Sequence, residues 1–390
     1  MPYKIHFLFS KRTDQLPKTI IGDDGKADFT HLNLIENIVA GQPIARVEEV
    51  SETITTGDLS YEDILVNLEA LEDYLGENVE INPQNPKEII AQINGYVTFE
   101  MNKINIFPVF ETVGDVDFST GNLTFIGSLI VKGNVSSSYS VQGKEVIVYG
   151  SVNSAEVRSA SRVLIKGDVI GKKSSVIAEG DVSCKFIENA TVRAKGNLLV
   201  SVSALHSYLT AGNSIVIKDP GILTGAVTTC KHKLFAKRIG ANWSNPTEII
   251  IGDDPFLIER LNNAQKMVQI LQHREAELEK LLSPTTETAN NQLSDEDKVL
   301  INNELNATRL SCKRFKLFEE ILLKKIEKER KENTTAEVYV FDQILPGTKI
   351  TFFDTTFFVK SSMEQVVFYF EDGEIKTRKC QQSFDTLLKM

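Results

Sequence analysis

The sequence predicts a mainly β protein with added α structure: a right-handed parallel β-helix with an N-terminal α/β domain, a long antiparallel coiled-coil hairpin and a small C-terminal β unit. Three observations predict it. Between residues 114 and 252, short alternating strands are punctuated by Gly followed by Asp, Asn or Ser at a spacing near 16 residues. Two heptad series fill residues 253–335, and strand-like runs lie on both flanks. Recurrence at such a period marks a solenoid, in which each coil buries its apolar face on the next.

The punctuation is Gly133-Asn134-Val135, Gly150-Ser151-Val152, Gly167-Asp168-Val169, Gly180-Asp181-Val182, Gly196-Asn197-Leu198 and Gly212-Asn213, with spacings of 17, 17, 13, 16 and 16 residues. Between these marks, Glu145–Tyr149, Arg162–Lys166, Ser175–Ala178 and Ser214–Lys218 alternate as half-buried strands do. Val148, Leu164 and Ile217 are expected to point inward. Glycine at each corner suits the positive φ of a sharp turn, and Asn or Asp satisfies the turn backbone locally. A sandwich would lack this regular register. The six-residue period of left-handed acyltransferase helices is missing, which favours the right-handed form.

Residues 1–113 read as an α/β domain. Ser60 is an N-cap ahead of Ile64, Leu65, Leu68, Leu71 and Leu75, with Gly76 as the stop, and a second helix is expected from Thr30 to Ala40. Ile44–Val50 and Tyr96–Val109 read as strands. Residues 253–335 carry Leu257, Leu261, Ala264, Val268, Leu271, Glu275, Leu278 and Leu282, then Ile301, Leu305, Thr308, Cys312, Phe315, Glu319, Leu322 and Ile326, at alternating spacings of 4 and 3. That pattern predicts two coiled-coil helices folded back on each other, with Asp253 and Asp254 capping the first and Ser294 with Asp297 the second. Residues 336–390 offer Glu337–Phe341, Lys349–Phe353, Thr356–Lys360 and Val366–Phe370, read as a small antiparallel unit that caps or packs on the β-helix.

Charge is uneven. Residues 1–113 hold 19 acids against 8 bases, and residues 114–252 hold 10 against 15. This distribution argues against a nucleic-acid binder and suggests that the acidic head docks on the basic middle. The longest apolar runs fall short of the roughly 20 residues of a transmembrane helix, and the start lacks the features of a secretory signal. Cys184, Cys230, Cys312 and Cys380 are scattered, which fits a reducing compartment such as the cytoplasm. The five histidines lack metal spacing, and phosphate-loop, zinc-protease and nucleophile-elbow motifs are missing. The sequence therefore calls for no catalytic residue, cofactor or metal.

Val113-Gly-Asp-Val-Asp-Phe-Ser-Thr-Gly-Asn-Leu-Thr-Phe125, Lys185-Phe-Ile-Glu-Asn-Ala-Thr-Val192 and Leu205-His-Ser207 resemble motifs of the bacterial flagellar assembly protein A family, as does the order of segments. The resemblance covers most of the chain and is strongest over 113–252. It implies a cytoplasmic scaffold of flagellar assembly or placement, recruited to the flagellar base or cell pole and working through protein partners. Where members tend to carry a Gly-Gly pair, this chain has Thr224-Gly225-Ala226, so that coil is expected to be altered. Phe186, Glu188, Asn189, His206 and Ser207 form the candidate interaction surface. Three function classes stay open: the scaffold, non-enzymatic and able to form homo-oligomers; a bactofilin-like filament former; and a β-helix carbohydrate-active enzyme.

Overall fold

The computed structural model describes residues 3–9, 20–21, 27–28, 30, 32, 34–49, 64–66, 68–241, 245–282, 294–333 and 335–381. Its contacts divide the chain into two units, one formed by 1–209 with 216–226 and the other by 210–215 with 227–390.

In the first unit the chain winds into coils of parallel strands. Val109–Thr112, Ser128–Val131, Glu145–Val148, Val163–Ile165, Val182–Glu188 and Leu198–Leu205 pair in that order on one face. Leu123–Thr124, Ser140–Gly143, Glu156–Ser159, Ser175–Ala178 and Thr191–Ala194 pair on a second. On a third, Val152–Asn153 pairs with Asp168–Ile170, which pairs with the end of Val182–Glu188. Inside lie columns of aliphatics, such as Val141, Val157, Val176 and Val192, all fully buried. Val148 and Ile217 are buried as expected. Leu164 is not: Val146 pairs with Val163 and Val148 with Ile165, so Val163 and Ile165 point inward and Leu164 stays half-exposed. An unbroken Val-Leu-Ile run leaves the phase of a strand open, and the pairing register decides it.

The Gly-Asx marks belong to two corners. Gly133, Gly150 and Gly167 stack in one column, each amide donating to the carbonyl of the corner glycine one coil earlier, at 2.9–3.1 Å. Gly180 and Gly196 stack in another, where the Gly196 amide donates to the Gly180 carbonyl at 3.0 Å. The 13-residue spacing is the step from one column to the other, since paired residues lie 16 to 19 apart, as in Val176–Val192 and Val157–Val176. The glycines of these columns are also absent from the positive-φ positions, which corrects the reason given for them. Their role is steric. A Cβ on Gly133 would stand 2.0 Å from an oxygen of Asp115, and one on Gly150 would stand 2.5 Å from that of Asn134. Those oxygens are needed where they are: Asp115 accepts from the Asn134 amide at 2.7 Å, Asn134 from Ser151 at 2.8 Å, and Ser151 from Asp168 at 3.0 Å. The ladder ends beside the irregularity between Cys184 and Phe186, where one carboxylate oxygen of Asp168 is buried without a hydrogen bond.

Residues 3–107 of this unit are mainly β, not α/β, among the described residues. Tyr3–Phe7 lies between Pro43–Glu49 and Ile64–Val66, and Gly95–Glu100 forms a hairpin with Lys103–Phe107. The expected helix after Ser60 is a strand at Ile64–Val66 and a 3-10 turn at Leu68–Tyr74; Ser60 itself lies outside the described residues. Among the described residues of 30–40 the expected helix does not form, and Asn37–Ile38 pairs as a strand instead. In both places, edge pairing to a formed sheet outweighs a short helical periodicity, because an isolated helix of this length is marginal. Ile5, Ile44, Ile89, Ile104 and Ile106 fill the core. Uncharged groups contribute to the contact with the first coil. The Asn37 side chain donates to Thr124 O at 3.0 Å and accepts from Ile126 N at 2.8 Å, while Tyr96 meets the rings of Phe110 and Phe125.

In the second unit, Val227–Cys230 and Glu248–Ile251 pair parallel, as do Lys233–Ile239 and Glu337–Ile344. Two helices, α1 (Pro255–Leu282) and α2 (Asp295–Glu332), occupy the chain between them. Glu337–Ile344 and Lys349–Phe352 thus complete a coil in parallel register, which corrects the reading of 336–390 as wholly antiparallel. Only Thr355–Phe358, Met363–Glu371 and Glu374–Lys379 add antiparallel strands. Leu257, Leu261 and Ala264 of α1 pack on Leu322 and Ile326 of α2, so the helices run in opposite directions. Two of the three polar heptad positions are paired: Gln265 donates to Glu319 at 3.0 Å, and Arg309 to Glu275 at 2.8 Å. Ser294 and Asp297 form a reciprocal capping box. The two aspartates before α1 divide their work. Asp254 caps the helix, accepting from Phe256 N at 2.9 Å, whereas Asp253 binds Arg330 at 2.7 Å.

Candidate functional site

The five sequence-predicted residues meet at one corner of the first unit. Glu188 pairs with Leu205, and Leu205 with Thr224, so the residues that follow them, Asn189, His206 and Gly225, come into line. Ser154 and Gly171 continue the line on earlier coils, because Ile170 pairs with Glu188 and Ser154 N donates to Ile170 O at 2.9 Å. These five residues share positive φ: 49° at Ser154, 110° at Gly171, 51° at Asn189, 48° at His206 and 60° at Gly225. Asn and His are among the side chains that enter this region most readily. Each amide donates to the next coil, Gly171 to Glu188 O at 3.0 Å, Asn189 to Leu205 O at 3.1 Å and His206 to Thr224 O at 2.9 Å.

The side chains differ in what they offer. His206 is exposed, and Phe186, Glu188 and Asn189 are half-buried. Ser207 is interior, which removes it from any contact surface: its hydroxyl donates to Leu205 O at 2.6 Å and accepts from Ala190 N at 3.1 Å. Two coils earlier, the buried Ser174 likewise donates to a turn carbonyl, Ile170 O at 2.6 Å. A serine that closes a buried turn in this way has no free proton for His206 to take, so the Ser-His neighbours make no nucleophilic pair. The His206 ring lies over Gly225, where a Cβ would come within 2.4 Å of Nδ1. Thr224-Gly225-Ala226 therefore keeps the left-handed corner at Gly225, with Ala226 fully buried beside it.

A second polar cluster, missed in the sequence, lies in the second unit where α2 ends. Arg330 donates to Asp253 and Asp354, at 2.7 and 2.6 Å, which hold its guanidinium above its ordinary pKa. Asn333 donates to the carbonyls of Lys231 and Gly252 at 2.9 and 2.7 Å, and Lys231 pairs with Glu329 at 2.8 Å. His232 Nδ1 lies 3.1 Å from Asn333 Oδ1, and burial lowers its pKa. A cleft of about 670 Å³ opens beside this cluster, lined in part by Arg330, Phe353, Tyr369, Phe370 and Arg378. Tyr339 in the same unit is pushed up to about 12, by burial first and then by its bond to Glu337. The cluster joins residues up to 102 positions apart, and only the acid-rich Gly252-Asp-Asp-Pro255 hinted at it.

Among the described residues, no group of His, Cys, Asp or Glu is arranged to hold a metal ion. Cys184 and Cys230 are buried free thiols pushed up to about 12 by burial, so they stay protonated at neutral pH. No helix is long and apolar enough to cross a membrane among those residues. In the second cluster the charged groups Arg330, Asp253, Asp354, Lys231 and Glu329 are engaged with one another. In comparisons with known proteins, a family model described as the Flagellar Assembly Protein A beta solenoid domain matches residues 108–375. A second, the Flagellar Assembly Protein A N-terminal region, matches residues 2–102. No curated protein and no solved structure matches the chain.

Proposed function

The chain belongs to the flagellar assembly protein A family, and from that premise we propose that it is a non-enzymatic scaffold of flagellar assembly or placement. The two family matches, which together take in residues 2–102 and 108–375, carry the reading. In this reading the four segments 1–113, 114–252, 253–335 and 336–390 have separate tasks on one chain. A right-handed β-helix supplies a rigid body, the helical pair acts as a coiled coil, and partners are captured by side-chain surfaces without cofactor or metal. It works in the cytoplasm, at the flagellar base or cell pole. Stacked coils suit this because neighbouring coils hold their side chains at a fixed rise, about 4.8 Å. Phe186, Glu188, Asn189 and His206 are the contact surface, with Ser207 supporting it from inside.

The test has two arms. Deleting the gene should reduce flagellation and swimming while growth and metabolism stay normal, and the wild-type chain should restore both. Glu188→Lys combined with His206→Ala should weaken capture of flagellar proteins in pull-downs, with thermal stability changed by no more than about 1 kcal/mol. Normal flagella in the deletion strain would overturn the flagellar role. Unchanged capture by the double variant would move the contact surface elsewhere.

A further inference from the structure

α2 carries a second apolar seam, on the side away from α1. Leu300, Asn303, Ala307, Leu310, Arg314, Leu317, Ile321 and Lys324 follow one another at spacings of 3, 4, 3, 4, 3, 4 and 3 residues. All eight are exposed, and the large apolar ones are strongly so: Leu300 65%, Leu310 52%, Leu317 59% and Ile321 54%. The seam interleaves with the buried series Leu305, Cys312, Leu322 and Ile326 that faces α1. A surface helix of a globular protein normally presents polar residues on its outer face. Here the outer face repeats the 3-4 spacing that packs one helix against another, over 24 residues or about 36 Å. Sustained helical spacing of that length matches another helix better than it matches a pocket or a sheet.

We propose that this seam is where a second copy of the chain docks, α2 against α2 in antiparallel orientation. The charges and the order of residues select both the partner and the direction. Residues 295–312 hold four acids and two bases, whereas residues 313–332 hold eight bases and five acids. Two copies running in opposite directions lay the acidic half of each beside the basic half of the other. Parallel pairing would instead set Arg314 on Arg314 and Lys324 on Lys324 inside the seam, and like charges at such positions are destabilising. Over residues 300–317 one antiparallel register matches chemistry with chemistry: Leu300 faces Leu317 of the second copy, Ala307 faces Leu310, and Asn303 faces Arg314, while Ile321 lies beyond this stretch, opposite Glu296. Each of these layers occurs twice about the two-fold axis, as an isologous contact requires. The small Ala307 leaves room for Leu310, and the Asn303–Arg314 layer fixes register as a buried polar pair does in other helix pairs.

The proposal is independent of the flagellar reading and is tested on the full chain. Light scattering at about 50 μM should report twice the 43.5 kDa chain mass, and Leu310→Glu with Leu317→Glu should return it to a single chain mass. Both positions are exposed, so the far-ultraviolet spectrum should be unchanged. Direction is read by disulfide trapping with Leu300→Cys and Leu317→Cys as separate variants, using the wild-type chain as the control for the half-exposed Cys380. An equimolar mixture of the two variants should form a covalent dimer, while neither should do so alone. Self-crosslinking of each single variant would overturn the antiparallel arrangement. A full chain that stays at 43.5 kDa, or a doubled mass that survives the two glutamates, would overturn the proposal and leave the seam to a different protein.

Discussion

The coil of the first unit turns at Gly133, Gly150 and Gly167 along one edge, and at Ser154, Gly171, Asn189, His206 and Gly225 along another. Both columns pass amide hydrogen bonds from coil to coil, yet they constrain the sequence differently. In the first column the backbone is ordinary and the space is what is scarce, because an Asx or Ser oxygen of the preceding coil occupies the position a Cβ would take. In the second the backbone is left-handed, a region Ser, Asn and His enter as well as Gly. Crowding reaches its glycines too, where a Cβ would stand 2.2 Å from Ser154 Oγ at Gly171 and 2.4 Å from His206 Nδ1 at Gly225. A corner limited by space is written as a motif. A corner limited by dihedral angle can change its side chain from coil to coil, and it is the one able to present recognition groups.

The interior sets the scale for this contrast. Ile165 lies inside, next to the first column, and Ile165→Ala should cost about 2–5 kcal/mol in chemical denaturation. Leu164→Ala, one residue away on the half-exposed face, should cost about 1 kcal/mol or less. Equal losses at the two positions would mean that the inward phase is wrong. At the space-limited corner, Gly167→Ala would bring a methyl within 2.5 Å of the Gly150 carbonyl oxygen and the Ser151 hydroxyl. Neither the backbone nor the ladder can yield without breaking a hydrogen bond, so the loss should be about 1–3 kcal/mol. A neutral outcome in a melting experiment would remove the steric account of the Gly-Asx motif.

The left-handed corner should give a smaller effect than the space-limited one. Gly225→Ala places a Cβ at φ 60°, which costs about 1–2 kcal/mol for an L-residue. It also presses on the His206 ring, but that ring is exposed and can turn away. Adding His206→Ala should therefore recover only a minor part of the loss. Full recovery in the double variant would show that contact, not the dihedral angle, limits this corner.

The sequence by itself determined the features whose cause is local. Alternating strands such as Glu145–Val148 and Ser175–Ala178, the two heptad series and the Ser294–Asp297 capping box all depend on residues within one turn or one strand, and all are legible there. The candidate corner was legible only in part. Asn189 and His206 come from similar motifs and do align, but the inward turn of Ser207 depends on Ala190 and Leu205, one of them on the neighbouring coil. Tertiary structure decided the rest. Which column a Gly-Asx joins, and which residue of Val163-Leu-Ile165 points inward, depend on pairing with a coil 16 to 19 residues away. The return of Glu337–Ile344 to pair with Lys233–Ile239 spans 104 residues and the whole helical pair. The Arg330 cluster with Asp253 and Asp354 forms only after that return. At Ile64–Val66 a helical spacing lost to strand pairing, because a sheet already in place satisfies backbone groups that a short helix leaves open at both ends.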